Sequence, residues 1–258
     1  MAVRASFTNE SLTQVQPASF VGGENYADQV FTSSFFHALW VTVAIIVLSL
    51  IVQIPLGLAV ATALARPFRG RSVLRSAITV PMMLTPIAVG LMWRFLADPD
   101  LGVIRWAASL VQHNAHPNLF GSETGALALL IVVNAWINVP FVTLLLAAAL
   151  IGVPEEIREA AAIDGAGASK TFWYVLLPMI APVIAVVALL RGAADYRMFD
   201  LIYVVTQGGP GDATRNLSLL AYQQGLISFQ VGRASAIAIA MAVVAAPAYL
   251  LYTRVIKP

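Results

Sequence analysis

Apolar and polar segments alternate along the chain in a pattern that predicts membrane-spanning helices. Five apolar runs occupy approximately residues 36–65, 76–97, 124–152, 176–205 and 233–254. A helix needs about 20 apolar residues to cross the hydrocarbon core of a bilayer, so each run is long enough for one span. Prolines such as Pro55, Pro81 and Pro86 interrupt the runs, which membrane helices tolerate. We therefore expect an all-α, polytopic transmembrane helical bundle over residues 36–258, preceded by a polar segment, 1–35.

The composition agrees with this pattern and excludes several classes of protein. Of the 258 residues, 59% are hydrophobic and 11% are charged, whereas about 25% of the residues of a soluble domain are charged. The chain has no cysteine, which excludes disulfides and thiolate chemistry. Its basic residues are spread between the apolar runs and give a net charge of only +2, whereas nucleic-acid binding requires a clustered basic face. We therefore expect contact with a lipid bilayer and none with nucleic acid.

Arginines after the first apolar run fix the orientation of the predicted helices. Four of them lie within ten residues: Arg66, Arg69, Arg71 and Arg75. Short loops rich in arginine remain in the cytoplasm, and alternation then places the polar segment 153–175 and the C-terminus there as well. It also places residues 1–35 outside the cell, because five spans that end in the cytoplasm must begin outside. A polar segment reaches the outside only if a further span precedes it. We therefore expect a further N-terminal span before residue 1.

The cytoplasmic segment 153–175 has the composition of a surface helix. It opens with Pro154-Glu155-Glu156, continues with an alanine-rich stretch and reaches Gly165. Proline and acidic residues are typical of a helix start, and glycine is typical of the position after its last turn. The segment is also longer than a tight turn requires. We therefore predict a helix that offers a docking surface to another protein, with a plain connector as the alternative.

The sequence contains no convincing catalytic or metal site. The segment Gly165–Thr171 looks like a phosphate-binding loop, but Ser169 stands where the glycine before the lysine is needed and the spacing is one residue short. His37, His113 and His116 lack the spacing of a metal-ligand set. We therefore expect no ATPase activity, no metal and no cofactor in this chain.

Polar side chains inside the third and fourth apolar runs are candidates for a substrate path. Arg191 and Asp195 are four residues apart and so share a helix face. Ionisable groups at membrane depth usually face a bundle interior or a wet cavity. Asn134 and Asn138 repeat this spacing, and amides suit the hydroxyl groups of a sugar. Two alternatives stay open: a self-neutralising ion pair, and amides that only join helices.

The stretch around Glu159 also resembles a known family motif. Glu159-Ala160-Ala161, followed by Gly165 and Val175-Leu176-Leu177-Pro178, is similar to the EAA loop of bacterial ABC importer permeases. The run Thr206-Gln207-Gly208-Gly209-Pro210 resembles the maltose-type, carbohydrate-uptake branch of that family. The likeness extends from about Phe20 to the C-terminus. It implies the type I importer permease fold and a multi-pass position in the cytoplasmic membrane of a bacterium.

The resemblance further implies partners and residue roles. The partners would be a dimer of ABC ATPases, a second homologous permease, an extracytoplasmic solute-binding protein and a carbohydrate. The ATPase would contact Glu159, Ala160, Ala161, Asp164 and Gly165. The substrate would be bound by residues on the helices before and after the loop: Asn134, Ile137, Asn138, Phe141, Arg191, Ala194, Asp195 and Met198. Because the maltose-type pocket is neutral where this chain has Arg191 and Asp195, we expect a different sugar, a polyol or a charged derivative.

Two other classes of function match parts of the pattern. A proton-coupled secondary transporter of a polar solute would use Asp195 as its proton carrier, but we detect no inverted internal repeat. A membrane-embedded enzyme would need paired catalytic residues at membrane depth, which the sequence lacks. Import by an ATP-driven permease is therefore the function that we expect.

Overall fold

The structure, a computed structural model, describes residues 1–13, 17–65, 68–111 and 118–256. Within these residues the only β-bridge is an isolated one between Thr8 and Phe20. The helices of the described chain are α1 (Ala2–Ala5), α2 (Glu24–Gln29), α3 (Ser33–Ala65), α4 (Arg71–Thr79), α5 (Pro86–Leu96), α6 (Val103–Val111), α7 (Glu123–Ile151), α8 (Glu155–Ile163), α9 (Ala168–Thr171), α10 (Leu177–Tyr196), α11 (Asp200–Val205), α12 (Leu217–Tyr222) and α13 (Val231–Ile256). A 3₁₀ turn follows α4, and π-helical turns precede α10 and follow α12.

Helices α3 and α7 form the centre of the bundle and run parallel to each other. Asn134 of α7 hydrogen-bonds Ser49 of α3, and eight residues further along both helices Val142 packs against Gly57. A Cβ atom on Gly57 would lie 2.5 Å from Cγ1 of Val142, so the glycine permits a close approach of the two backbones. α7 has buried residues along its whole length, as a helix that is apolar on all sides should.

Helix α10 packs against this pair in the antiparallel direction. Asp195 of α10 bonds to Asn134 on α7, and Arg191, one turn earlier in α10, bonds to Gln53 on α3. Gln53 lies one turn later in α3 than Ser49, which is the α3 partner of Asn134. The two chain directions are therefore opposite, and α10 completes a three-helix core.

The second predicted span, 76–97, is not a single helix. The 3₁₀ turn Val80–Met83 ends α4, α5 begins at Pro86, and the axes of the two parts differ by 97°. Proline disfavours a helical conformation in the residue before it, and Thr85 is extended, with a ψ of 137°. Pro86 therefore divides the segment into two short helices instead of bending one span.

The fourth predicted span, 176–205, is displaced towards the N-terminus. The helical segment begins at Ala168 and ends at Tyr196, and α11 is separate from it. At the turn between them, the side-chain amide of Asn216 donates a hydrogen bond to the carbonyl of Met198. This bond satisfies a carbonyl at the turn, so the helix ends inside the apolar run.

Among the residues that the structure describes, α3, α7 and the segment Ala168–Tyr196 are long and apolar enough to cross a membrane, and α4 with α5 makes a fourth unit if the bent pair is counted as one. The fifth predicted run lies in α13, which is apolar from Val231 to Pro247. The predicted all-α membrane bundle is thus confirmed, but its second element is divided into two helices and its fourth is displaced along the chain.

The polar residues before α3 pack against the first turn of α13. The N–H of Gly232 donates to a carbonyl of this segment, and Arg233 pairs with Asp28 at 3.2 Å. Phe35, near the start of α3, packs beside Ile237 of α13. The N-terminal segment therefore lies at the end of the bundle opposite the arginines that follow α3.

Candidate functional site

A buried polar network joins α3, α7 and α10. Nη2 of Arg191 lies 2.5 Å from Oδ1 of Asp195. The same carboxylate oxygen accepts a 3.1 Å hydrogen bond from Nδ2 of Asn134, which also donates to Oγ of Ser49 at 2.9 Å. Nε of Arg191 donates to Oε1 of Gln53 at 3.0 Å. Each of the three helices therefore contributes polar groups to one connected cluster.

Burial makes this pairing necessary. Arg191 is 8% exposed and Asp195 is 2% exposed, and removing one partner of such a pair costs about 3–5 kcal/mol. The two charges cancel, and each is also hydrogen-bonded to an amide side chain. The network therefore has no net charge in the interior of the bundle.

Two polar atoms of the network have no hydrogen-bond partner in the described part of the chain. They are Nε2 of Gln53 and Oδ2 of Asp195. Buried polar groups are normally satisfied, so the network keeps one donor and one acceptor that are available for a further hydrogen bond. A hydroxyl group both donates and accepts a hydrogen bond, and it matches one free donor and one free acceptor.

The structure brings together four of the eight residues that the sequence proposes for substrate binding. Besides Asn134, Arg191 and Asp195, Asn138 joins the network by donating to the oxygens of Asn134. The other four lie outside it: Phe141 and Ala194 are half-buried, and Ile137 and Met198 are buried in the apolar core.

Sequence reasoning missed the contribution of α3. Ser49 and Gln53 are polar residues four positions apart in the first apolar run, and both are fully buried. The same spacing drew attention to Asn134 and Asn138. A search of every apolar run for polar pairs one helical turn apart would have found them.

The predicted cytoplasmic helix is present as α8, and it ends as the sequence indicates. Gly165 has a left-handed φ of +76°, and the N–H of Ala166 donates to the carbonyl of Ala161. These features are typical of a glycine-terminated helix. Pro154 directly precedes the first helical residue.

The residues proposed to contact an ATPase differ in exposure. Glu159, Ala160, Asp164 and Gly165 are exposed, whereas Ala161 is only 8% exposed. Alanine has no long side chain, so the exposed face of α8 permits close approach by a partner. Ala161 lies on the side of the helix that is already covered.

Helix α8 is fastened to the ends of α7 and α10. Nη2 of Arg158 donates a 2.7 Å hydrogen bond to the carbonyl of Leu150 in the last turn of α7. Ile157 packs on an apolar cluster that includes Leu150 and Ile180 of α10. Because α7 and α10 also carry the buried network, a displacement of α8 acts on both helices.

The glycine-rich run after α11 forms a tight loop at the opposite end of the bundle. The buried hydroxyl of Thr214 lies 2.7 Å from the hydroxyl of Thr206 and 3.0 Å from the carbonyl of Gly209. Nη2 of Arg215 donates to Oγ of Ser34 at the start of α3, at 2.7 Å. The run therefore connects α11 and α12 firmly to α3.

Of the three histidines that we set aside as metal ligands, the structure describes His37. Nε2 of His37 lies 3.1 Å from the carbonyl oxygen of Asp212 in the glycine-rich loop. His113 and His116 lie outside the described residues.

Comparisons with known proteins extend over most of the chain. The family model described as the binding-protein-dependent transport system inner membrane component matches residues 53–257. The probable ABC transporter permease protein y4oQ of Sinorhizobium fredii is 37% identical over 218 residues, which cover 84% of this chain and 70% of the relative. The trehalose/maltose transport system permease protein MalF of Thermococcus litoralis is 34% identical over 215 residues, which cover 83% of this chain and 72% of the relative.

A solved structure shares the fold. It is the crystal structure of a bacterial ABC transporter involved in the import of the acidic polysaccharide alginate. One of its chains superposes with a TM-score of 0.82, covering 99% of this chain and 89% of that one. The sequence identity is 20%, so this likeness concerns the arrangement of the helices.

Proposed function

The chain belongs to the family of inner membrane components of binding-protein-dependent transport systems, and on this premise we propose that it is the permease subunit of an ATP-driven carbohydrate importer. Its family membership and its apolar helices together show that it is a multi-pass inner membrane protein. The proposal adds the substrate class, the energy source and the roles of individual residues. The observation that carries it is the exposed helix α8, fastened to both helices that hold the buried network.

The role that we propose for α8 is coupling to a separate ATPase dimer. The exposed side chains of Glu159, Ala160 and Asp164 would enter the contact, and Gly165 would turn the chain away from it. ATP-driven closure of the ATPases would move α8 as a rigid lever through Arg158 and the apolar cluster beneath it. The bundle would then alternate between inward-open and outward-open states.

The substrate class that fits the buried network is a carbohydrate or polyol. The free donor on Gln53 and the free acceptor on Asp195 match a hydroxyl group. The half-buried ring of Phe141 would cover an apolar face of a sugar. Because Arg191 and Asp195 neutralise each other, the network favours a neutral sugar over an acidic one. MalF of Thermococcus litoralis belongs to a trehalose/maltose system, which agrees with this choice.

The full assembly that we propose contains a second homologous permease and an extracytoplasmic solute-binding protein. The family description, which names a binding-protein-dependent system, supports the second partner. The solute-binding protein would dock at the end of the bundle where the N-terminal segment and the glycine-rich loop meet α3. Cargo released there would reach the network from outside.

Reconstitution tests the proposal. The affinity-tagged chain would be purified from its host with its bound partners, and proteoliposomes would be assayed for ATP hydrolysis and for uptake of labelled trehalose, maltose and glycerol 3-phosphate. We expect ATP-dependent uptake that Glu159→Lys and Ala160→Trp abolish. Asp100→Lys, an exposed substitution in the loop after α5 and outside both proposed docking surfaces, serves as the control and should leave uptake intact. Uptake that needs a proton gradient but no ATP would instead identify a secondary transporter.

A further inference from the structure

Helix α4 is strongly amphipathic, yet none of its residues is buried. At 100° per residue, one arc of the helix carries the polar residues Arg71, Ser72, Arg75, Ser76 and Thr79. The other arc carries the apolar residues Val73, Leu74, Ala77 and Ile78. Val73 is 74% exposed, so the protein itself leaves much of the apolar arc uncovered. This division is typical of a helix that lies in a membrane interface.

An apolar cavity of about 530 Å³ lies beside α4, between α3 and α7. Ala77 and Ile78 form one wall, Leu56 and Val60 of α3 another, and Trp136 and Val139 of α7 a third. The volume falls within the range of about 300–1,000 Å³ that is usual for ligand pockets. Because all its lining side chains are apolar apart from the indole N–H of Trp136, the cavity suits a hydrocarbon chain and not a sugar.

The cavity is separate from the buried polar network. Along α7, Trp136 and Val139 project about 200° and 140° from Asn134, on the opposite side of the helix. Asn134 points to Asp195 and Ser49. An occupant of the cavity therefore does not compete with a ligand of the network.

Arginines without a counter-charge lie on α4 and just before it. Arg69, Arg71 and Arg75 make no ion pair with any described residue. The sequence contains no aspartate or glutamate between Asp28 and Asp98, so no acidic residue is near them along the chain. The arginine arc borders the apolar arc at Ile78, one turn from Arg75. Arg71 and Arg75 therefore lie on the same helix as the cavity wall at Ala77 and Ile78, within about two turns of it.

We propose that this cavity binds an anionic phospholipid, with the phosphate on Arg71 and Arg75 and one acyl chain between α3, α4 and α7. The positive-inside rule places these arginines at the cytoplasmic leaflet, where anionic lipids attract juxtamembrane arginines. A lipid satisfies both observations, because its headgroup neutralises the arginines and its tail fills the apolar space. An apolar protein segment would fill the space but leave the arginines unpaired.

Fluorescence quenching tests the site through Trp136. The full chain with its co-purified partners would be placed in nanodiscs of phosphatidylcholine. One sample would contain added phosphatidylglycerol with brominated acyl chains, and the other would contain the same mole fraction of brominated phosphatidylcholine. The contribution of Trp136 is the difference between the protein and its Trp136→Phe variant. Trp40, an exposed residue of α3 outside the cavity, provides the reference for general lipid contact through Trp40→Phe.

We expect brominated phosphatidylglycerol to quench Trp136 at lower mole fraction than brominated phosphatidylcholine, by about fivefold for each arginine that contacts the phosphate. Trp40 should not discriminate between the lipids. Arg71→Gln with Arg75→Gln should abolish the preference at Trp136, whereas Arg4→Gln should keep it. Ala77→Phe, which fills the cavity, should prevent quenching by both lipids, whereas Ser76→Phe, on the polar arc, should not.

Two results would overturn the proposal. Equal quenching of Trp136 by the two lipids would remove the role of the arginines. Absence of quenching at Trp136, with Trp40 still quenched, would show that the cavity holds a protein segment such as part of a second permease.

Discussion

Arg191 and Asp195 form an ion pair one turn apart on α10, and the remaining partners of this pair belong to two other helices. Gln53 of α3 accepts from the guanidinium, and Asn134 of α7 donates to the carboxylate. The sequence left open whether the pair neutralises itself or binds substrate. The structure shows that the two charges neutralise each other and that their contacts join the three central helices. Substrate binding by the pair stays a prediction.

Removing one partner of this ion pair should lower the stability of the protein more than removing both partners. Asp195→Ala leaves a buried guanidinium without its counter-charge, and we expect the free energy of unfolding to fall by about 3–5 kcal/mol. The double variant Arg191→Met with Asp195→Leu removes both charges and should come within about 1 kcal/mol of the unaltered protein. Thermal unfolding in detergent, followed by circular dichroism, measures both. Equal losses in the single and double variants would contradict a coupled pair.

Gly57 should tolerate no side chain, because α3 and α7 touch there. A Cβ atom would meet Cγ1 of Val142 at 2.5 Å and the backbone nitrogen of Thr143 at 3.3 Å. We expect Gly57→Ala to destabilise the bundle by about 1–3 kcal/mol. Gly192→Ala is the matched control in α10, since its nearest neighbour would lie at an ordinary 3.6 Å. A thermal shift that is equal for the two variants would refute the close contact.

The sequence predicted those features of the fold that depend on local pattern. The apolar runs became helices, and the ends of α8 followed from Pro154 and Gly165. Prolines were harder to interpret. Pro55 and Pro140 stay inside α3 and α7, whereas Pro86 begins a new helix. Neighbouring helices decide whether a freed carbonyl is satisfied in place, and the sequence does not reveal those neighbours.

The buried network could be predicted from the sequence only in part, for the same reason. The spacing of Asn134 with Asn138 and of Arg191 with Asp195 was visible, because both pairs lie within one helix. The link to Ser49 and Gln53 depends on how α3, α7 and α10 pack. Such contacts join residues far apart in the chain, so periodicity alone does not predict them.

Asp98, in the loop after α5, should keep that loop folded only while it is ionised. Its Oδ1 accepts hydrogen bonds from the N–H groups of Asp100 and Leu101, at 2.9 and 2.8 Å. These bonds hold the pKa of Asp98 below its usual value. A lowered pKa in the folded state gives stability above the pKa of the unfolded chain, and this stability is lost as the pH falls through the folded-state pKa.

Hydrogen exchange measures this dependence. At neutral pH we expect the amides of Asp100 and Leu101 to exchange slowly in the unaltered protein and faster in Asp98→Ala. The difference, corrected for intrinsic exchange rates, should disappear once the pH has fallen below the pKa of Asp98. Asp100→Ala is the control, because its side chain makes no hydrogen bond in this turn. A difference that persists in strong acid would show that the carboxylate does not hold the turn.

Gly165 should be needed for its backbone conformation and not for space. It has a left-handed φ of +76°, and nothing lies within 4 Å of the position that a Cβ would occupy. Gly165→Ala should therefore cost about 1–2 kcal/mol of local stability at the end of α8. Gly167, two residues on, has equally open surroundings but an ordinary extended backbone. Gly167→Ala is thus a matched control that adds the same methyl group without strain.

An assay of ATP hydrolysis distinguishes the local strain at Gly165 from a general loss of stability. If α8 couples ATP hydrolysis to the bundle, its frayed end in Gly165→Ala should lower substrate-stimulated hydrolysis in proteoliposomes several-fold. The melting temperature of the bundle should stay close to that of Gly167→Ala. Gly165→Asn should restore part of the activity, since asparagine adopts the left-handed region more readily than alanine. Equal activity of the alanine variants at both positions would show that the turn after α8 does not contribute to coupling.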